Sequence, residues 1–145
     1  TREVYATGLT RPHSCRIYNN TVWLDNSGYG EVGFIENKKF VSFSRLPGWT
    51  RGLCFFKNIV FVGISRILPR FKHYAPGIKS KNQECGVIAL DIKTGKTIGS
   101  IIWPYGNQIF SIDWISQSSI IGFPFKLGKQ SNKKIMKMFY NYTVL

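Results

Sequence analysis

The chain has 145 residues, with 20 Lys and Arg against seven Asp and Glu, a net charge of +13, and 15% aromatic residues. That composition supports one domain with a real core and argues against intrinsic disorder. No stretch approaches the roughly 18 consecutive apolar residues of a membrane span, and the first residues lack a signal-peptide pattern, so we expect a soluble, cytoplasmic protein that meets no membrane.

Strand signals dominate in chain order, because short β-branched and aromatic runs alternate with Gly, Asn and Pro. They fall at 21–24, 33–35, 40–43, 59–62, 87–92 and 97–103. Asn19-Asn20, Lys57-Asn58 and Thr94-Gly95 read as hairpin turns, where Asn and Gly tolerate positive φ. A helical period competes only in the short 133–140 tail.

An internal repeat organises these strands. Residues 12–24 align with 50–62 at an offset of 38, apolar on apolar and turn on turn, so that His13 falls on Arg51. A looser third copy begins near Gln108, at an offset of about 57 from the second, and the excess is about the length of a 66–84 insertion. A period near 40 with about four strands per unit is what a β-propeller blade requires, since each blade buries both faces against its neighbours. The expected fold is therefore all-β, with antiparallel four-stranded blade-like units at about 8–47, 48–106 and 107–125 and a basic tail at 126–145, in one partial propeller-like domain. Three units do not close a ring. Together with a first residue, Thr1, that is not Met, this suggests a portion of a longer polypeptide. An assembly of several copies, with self-association if the chain is complete, ranks second, and a different β-architecture third.

Cys15, Cys54 and Cys85 match no zinc or disulfide spacing and are expected to be free, buried thiols in a reducing compartment. Half of the cations lie in two segments, one holding Arg66, Arg70, Lys72, Lys79 and Lys81, the other Lys126, Lys129, Lys133, Lys134 and Lys137. They favour anionic partners by long-range attraction. The plainer and preferred explanation is a general abundance of Lys, Asn and Ile.

Several strings carry a family resemblance: Arg11-Pro12-His13-Ser14, Trp23-Leu24-Asp25-Asn26-Ser27-Gly28-Tyr29-Gly30-Glu31-Val32-Gly33, Leu46-Pro47-Gly48-Trp49-Thr50-Arg51-Gly52-Leu53, Val62-Gly63-Ile64-Ser65 and Glu84-Cys85-Gly86-Val87. In these the chain resembles, over roughly 8–113, the bacterial conserved hypothetical proteins of the TIGR03032 family, related to the DUF4915 domain. The resemblance implies a propeller-like fold and a match to the C-terminal half of longer members. It brings no catalytic residues. Cys15 stands where the family usually has Pro, and the agreement thins from Gln108 onward.

In a propeller, residues at the start of each innermost strand gather at one mouth of the channel. His13, Arg51 and Gln108 occupy that position, and they are candidate ligands for an anionic or polyhydroxylated molecule. Polar groups there can equally satisfy backbone at the rim. Asp25 and Glu31 flank a glycine-rich turn that is too poor in carboxylates for a typical Ca²⁺ loop, and a tight turn with positive φ at Gly28 or Gly30 explains its glycines. Glu84 and Asp113 are candidates to pair with Arg51 or Arg66, and Asp25 and Glu84 join the candidate mouth. The insertion adds Arg66, Arg70, Lys72, His73, Lys79 and Lys81, interleaved with Phe71 and Tyr74, as a basic loop suited to stacking and ion pairing.

No nucleophile elbow, P-loop, dinucleotide fingerprint or His-x-x-x-His pattern is present, and neither metal nor cofactor is expected. The leading expectation is a non-catalytic binding module for an anionic small molecule, a glycan or a protein partner. Its rivals are a propeller-type lyase or hydrolase with His13 as general base and Arg51 stabilising negative charge, and a non-specific nucleic-acid binder acting through the basic segments.

Overall fold

The computed structural model describes residues 2–79 and 83–116. Two four-stranded antiparallel sheets follow one another along the chain. The first is β1 (Pro12–Tyr18), β2 (Thr21–Asn26), β3 (Glu31–Glu36) and β4 (Lys39–Arg45); the second is β5 (Trp49–Phe56), β6 (Ile59–Ser65), β7 (Gly86–Asp91) and β8 (Thr97–Ile102). Each sheet is a simple meander, with strands paired in sequence order. Short 3-10 helices at Ser27–Tyr29 and Pro69–Tyr74 interrupt the pattern. No helix among the described residues is long and apolar enough to cross a membrane.

Turn chemistry sets the hairpins. Asn19 and Asn20 take positive φ between β1 and β2, and Lys57 takes it between β5 and β6. Gly95 does so between β7 and β8, where Asp91 Oδ1 also accepts from the Lys93 and Thr94 amides at 2.9 and 2.8 Å. Those hydrogen bonds hold the Asp91 carboxyl below its usual value. Gly30, not Gly28, supplies the positive φ of the turn before β3.

The core lies between the two sheets. Trp23 of β2 is its aromatic centre, with ring centroids 5.1 Å from Phe34 and Phe43 and 5.4 Å from Phe55 of β5. Around it are Val32, Leu46, Leu53, Val60, Val62, Ile64, Ile88 and Leu90. Such aromatic pairs add about 0.5–1.5 kcal/mol each beyond the area they bury. The arrangement brings β1 and β2 against β5, so the starts of both sheets stand side by side.

The 38-residue repeat is visible atom by atom. Both first strands carry a bulge, between His13 and Arg16 in β1 and between Thr50 and Leu53 in β5. Ser27 and Ser65 are equivalent, fully buried, and each reaches into the segment that follows: Ser27 Oγ donates to Thr50 O, and Ser65 Oγ accepts from Ile109 N at 2.8 Å. Residues 107–116 form no strand, and the remainder of the expected third unit, with the basic tail, lies outside the described residues.

Cys54 and Cys85 are buried free thiols, but Cys15 is exposed. It sits on β1, the edge strand of the first sheet, at one of that strand's exposed positions. Burial raises the Cys54 and Cys85 pKa values, which makes both thiols poor nucleophiles.

Candidate functional site

A cavity of about 350 Å³ opens where β1, β5 and the 66–84 insertion meet. Its polar wall is Arg11, His13, Arg51, Arg66 and Gln108, and its apolar wall is Trp49, Ile67, Leu68, Phe71 and Tyr74. The volume lies at the lower end of the roughly 300–1,000 Å³ of small-molecule sites. Three arginines line this space, and among the described residues no carboxylate does.

The two first strands position the polar groups. His13 and Arg51 stand beside the paired bulges, and residues 107–108 run along the end of β6, where Arg66 N donates to Asn107 O at 2.9 Å. The insertion closes the cavity by folding back onto the first sheet. Gly77 N donates to Gly28 O at 3.0 Å, and a Cβ at Gly77 would lie 2.2 Å from the Tyr29 ring. Only glycine permits that approach. Arg11 then stacks over Tyr74, 4.1 Å from the ring centroid, while Arg51 lies 4.4 Å over Phe110. Stacking holds the planar guanidinium in place without neutralising it.

His13 is oriented from behind. Its Nδ1 lies 2.9 Å from both Arg11 O and Ser27 Oγ, and the ring meets Trp49 edge-on at 5.8 Å. A carbonyl can only accept, and the Ser27 proton goes to Thr50 O, so Nδ1 carries the imidazole proton and Nε2 is left as an acceptor. Desolvation first, then the Arg51 charge, lowers the His13 pKa from its ordinary 6.5, and the ring is neutral at pH 7.

The other candidates divide. Gln108 spends its amide on backbone, donating to Arg66 O at 2.7 Å and Asn107 O at 3.0 Å, which makes it a clamp on the rim. Asp25 is not at the mouth. It is fully buried on β2, and desolvation raises its pKa well above the usual value, against a smaller lowering effect of the Ser14 hydroxyl. The central position of β2, between β1 and β3 and against β5, draws it inward. Glu84 also lies outside the cavity wall, and among the described residues it forms no ion pair with Arg51 or Arg66. Glu31 is committed elsewhere, to Arg45 at 3.0 Å and to Asn26 Nδ2 at 2.9 Å. Among the described residues no three His, Cys, Asp or Glu side chains stand close enough to hold a metal ion.

The basic loop is split as well. Arg66 enters the cavity wall and donates Nη2 to Pro104 O at 2.7 Å. Arg70 stacks 4.7 Å over Phe71, and His73 packs 3.8 Å from Tyr74. Lys72 and Lys79 line a separate concavity, and Lys81 lies outside the described residues. Arg11 and Trp49 were missed as wall residues, although they are themselves 38 apart and two positions before His13 and Arg51.

Fold and cavity together define an all-β protein of successive four-stranded meanders with a cationic, aromatic-walled cleft at the strand starts. The chain belongs to the family described as "Domain of unknown function (DUF4915)", which matches residues 1–121. Neither the curated proteins nor the solved structures give a match.

Proposed function

We propose that this chain is a propeller-type binding module whose cleft at the strand starts holds an anionic ligand. The observation that carries it is the charge of the wall: Arg11, Arg51 and Arg66 line a common space with no carboxylate among the described lining residues. Clustered cations without counter-charges are costly, and an anion relieves that cost by charge-assisted hydrogen bonds of about 1.5–3 kcal/mol each. The aromatic rings of Trp49, Phe71 and Tyr74 favour a ligand with a flat or apolar body beside its charge. Support for a propeller comes from the two meanders with adjacent first strands and from Ser65, which, like its counterpart Ser27, hydrogen-bonds into the segment that follows its sheet, here at Ile109. Calorimetry of the full chain against phosphate and carboxylate esters, wild type beside His13→Ala and Arg51→Ala, tests the proposal. Arg51→Ala is expected to weaken binding about 10- to 100-fold. Equal affinity in all three proteins rejects this cleft.

A second reading, hydrolytic or lyase chemistry with His13 as base, is favoured by one feature. The Nδ1 anchor leaves Nε2 as the proton acceptor on a neutral ring. Turnover of an anionic substrate that rises with pH through the lowered His13 pKa and vanishes in His13→Ala supports it. Absence of turnover across ester and glycoside substrates removes it.

A further inference from the structure

We infer that the cleft is one half of a bipartite site, and that its ligand carries two phosphate-like groups held apart by a spacer, one for each half. The inference rests on the anion-binding proposal and names its ligand class. A second concavity of about 670 Å³ adjoins the first, with Arg66, Lys72, Ile78, Lys79 and Gln83 in its wall. Arg66 and Ile67 belong to both walls, so one guanidinium and its neighbour form the partition between the two spaces.

The partition is fixed on both sides. Arg66 Nη2 donates to Pro104 O, and Ile67 N donates to Gln83 Oε1 at 2.6 Å. The part of the insertion that carries the second wall is anchored too: Ala75 is buried, and Gly77 is tied to Gly28. Lys72 and Lys79 therefore project from a docked segment of chain. Like the first half, the second has cations in its wall and, among the described residues, no acidic one. Arg66 Nε, shut off from solvent, has no hydrogen-bond partner among the described residues.

Two adjoining cationic spaces offer more room than one phosphate group fills. A ligand with one anion in each gains from linkage, because the second contact forms at high effective concentration once the first is made. A single anion satisfies only half of the wall.

Calorimetry at constant ionic strength compares hexyl phosphate with hexane-1,6-diyl bisphosphate on the full 145-residue chain. The bisphosphate is expected to bind at least about tenfold tighter. The exposed pair Lys72→Ala/Lys79→Ala should remove that gain while leaving hexyl phosphate within about twofold, whereas Arg51→Ala weakens both probes. Lys38→Ala/Lys39→Ala removes the same charge from the β3–β4 hairpin and should change neither. Equal affinity for the two probes, or an equal loss in the control pair, overturns the bipartite site while leaving the anion cleft standing. Binding of neither probe overturns the anion cleft itself.

Discussion

Ser14 and Gly52 are equivalent residues of the two repeats, and they touch: the Gly52 N–H donates to Ser14 Oγ at 2.7 Å, and both residues have positive φ, 56° and 95°. The bulge therefore does two jobs at once. It turns each first strand toward the cleft and joins the two sheets where their starts meet. Ser14→Ala leaves the Gly52 amide without its acceptor and should cost about 1–3 kcal/mol. Gly52→Ala forces a Cβ to 3.1 Å from Ile112 N at a φ that L residues avoid, and should destabilise by about 1–2 kcal/mol or more. Urea unfolding measures both. Wild-type stability in Ser14→Ala removes the stitch from the account.

Gly77 governs closure of the cleft. A methyl group there meets the Tyr29 ring at 2.2 Å, so Gly77→Ala should lift the insertion and with it Phe71, Tyr74 and Arg66. The sheets do not depend on that contact. Little change in unfolding midpoint with at least about a tenfold loss of anion affinity is expected, since the cleft loses a wall. Unchanged affinity shows that the insertion is dispensable.

Two groups give opposite pH signatures. Asp25 has a folded pKa well above its ordinary 3.8, so between those values the native state holds the extra proton. Its contribution is greatest at low pH and is lost as pH rises through the folded pKa. Asp25→Asn, which resembles the protonated acid, should match wild type near pH 4 and exceed it increasingly at higher pH. Parallel stability curves contradict a carboxyl held protonated by burial. His13, lowered from 6.5, works the other way: its contribution is present above 6.5 and is lost as pH falls through the window down to its folded value. A bound anion favours the imidazolium, so anion affinity should rise on acidification below pH 6.5, and His13→Gln should flatten that rise.

Strand positions and hairpins were legible because their signals are local. Asn19, Lys57 and Gly95 mark turns by conformational tolerance, and the alternation around Trp23 and Val60 marks the faces that become core. The repeat carried more, since an offset of 38 pairs His13 with Arg51 and the structure puts both in one wall. Asp25 was misplaced because a charged residue beside glycines reads as an exposed turn, whereas β2 runs through Asp25 and buries it against β5. Cys15 failed in reverse, since a strand-like run does not reveal that its strand is an edge. Docking of Gly77 onto Gly28 joins residues 49 apart with no pattern linking them, so the wall made by Phe71 and Tyr74 was legible only as composition.

The most direct measurement is amide and arginine side-chain NMR of the labelled full chain during titration with phenyl phosphate. The account predicts saturable shifts concentrated at Arg11, His13, Arg51, Arg66 and Tyr74, with the side-chain Nε signal of Arg45, paired to Glu31 outside the cleft, unmoved. Shifts spread evenly over Lys and Arg residues, or centred away from the strand starts, would contradict it.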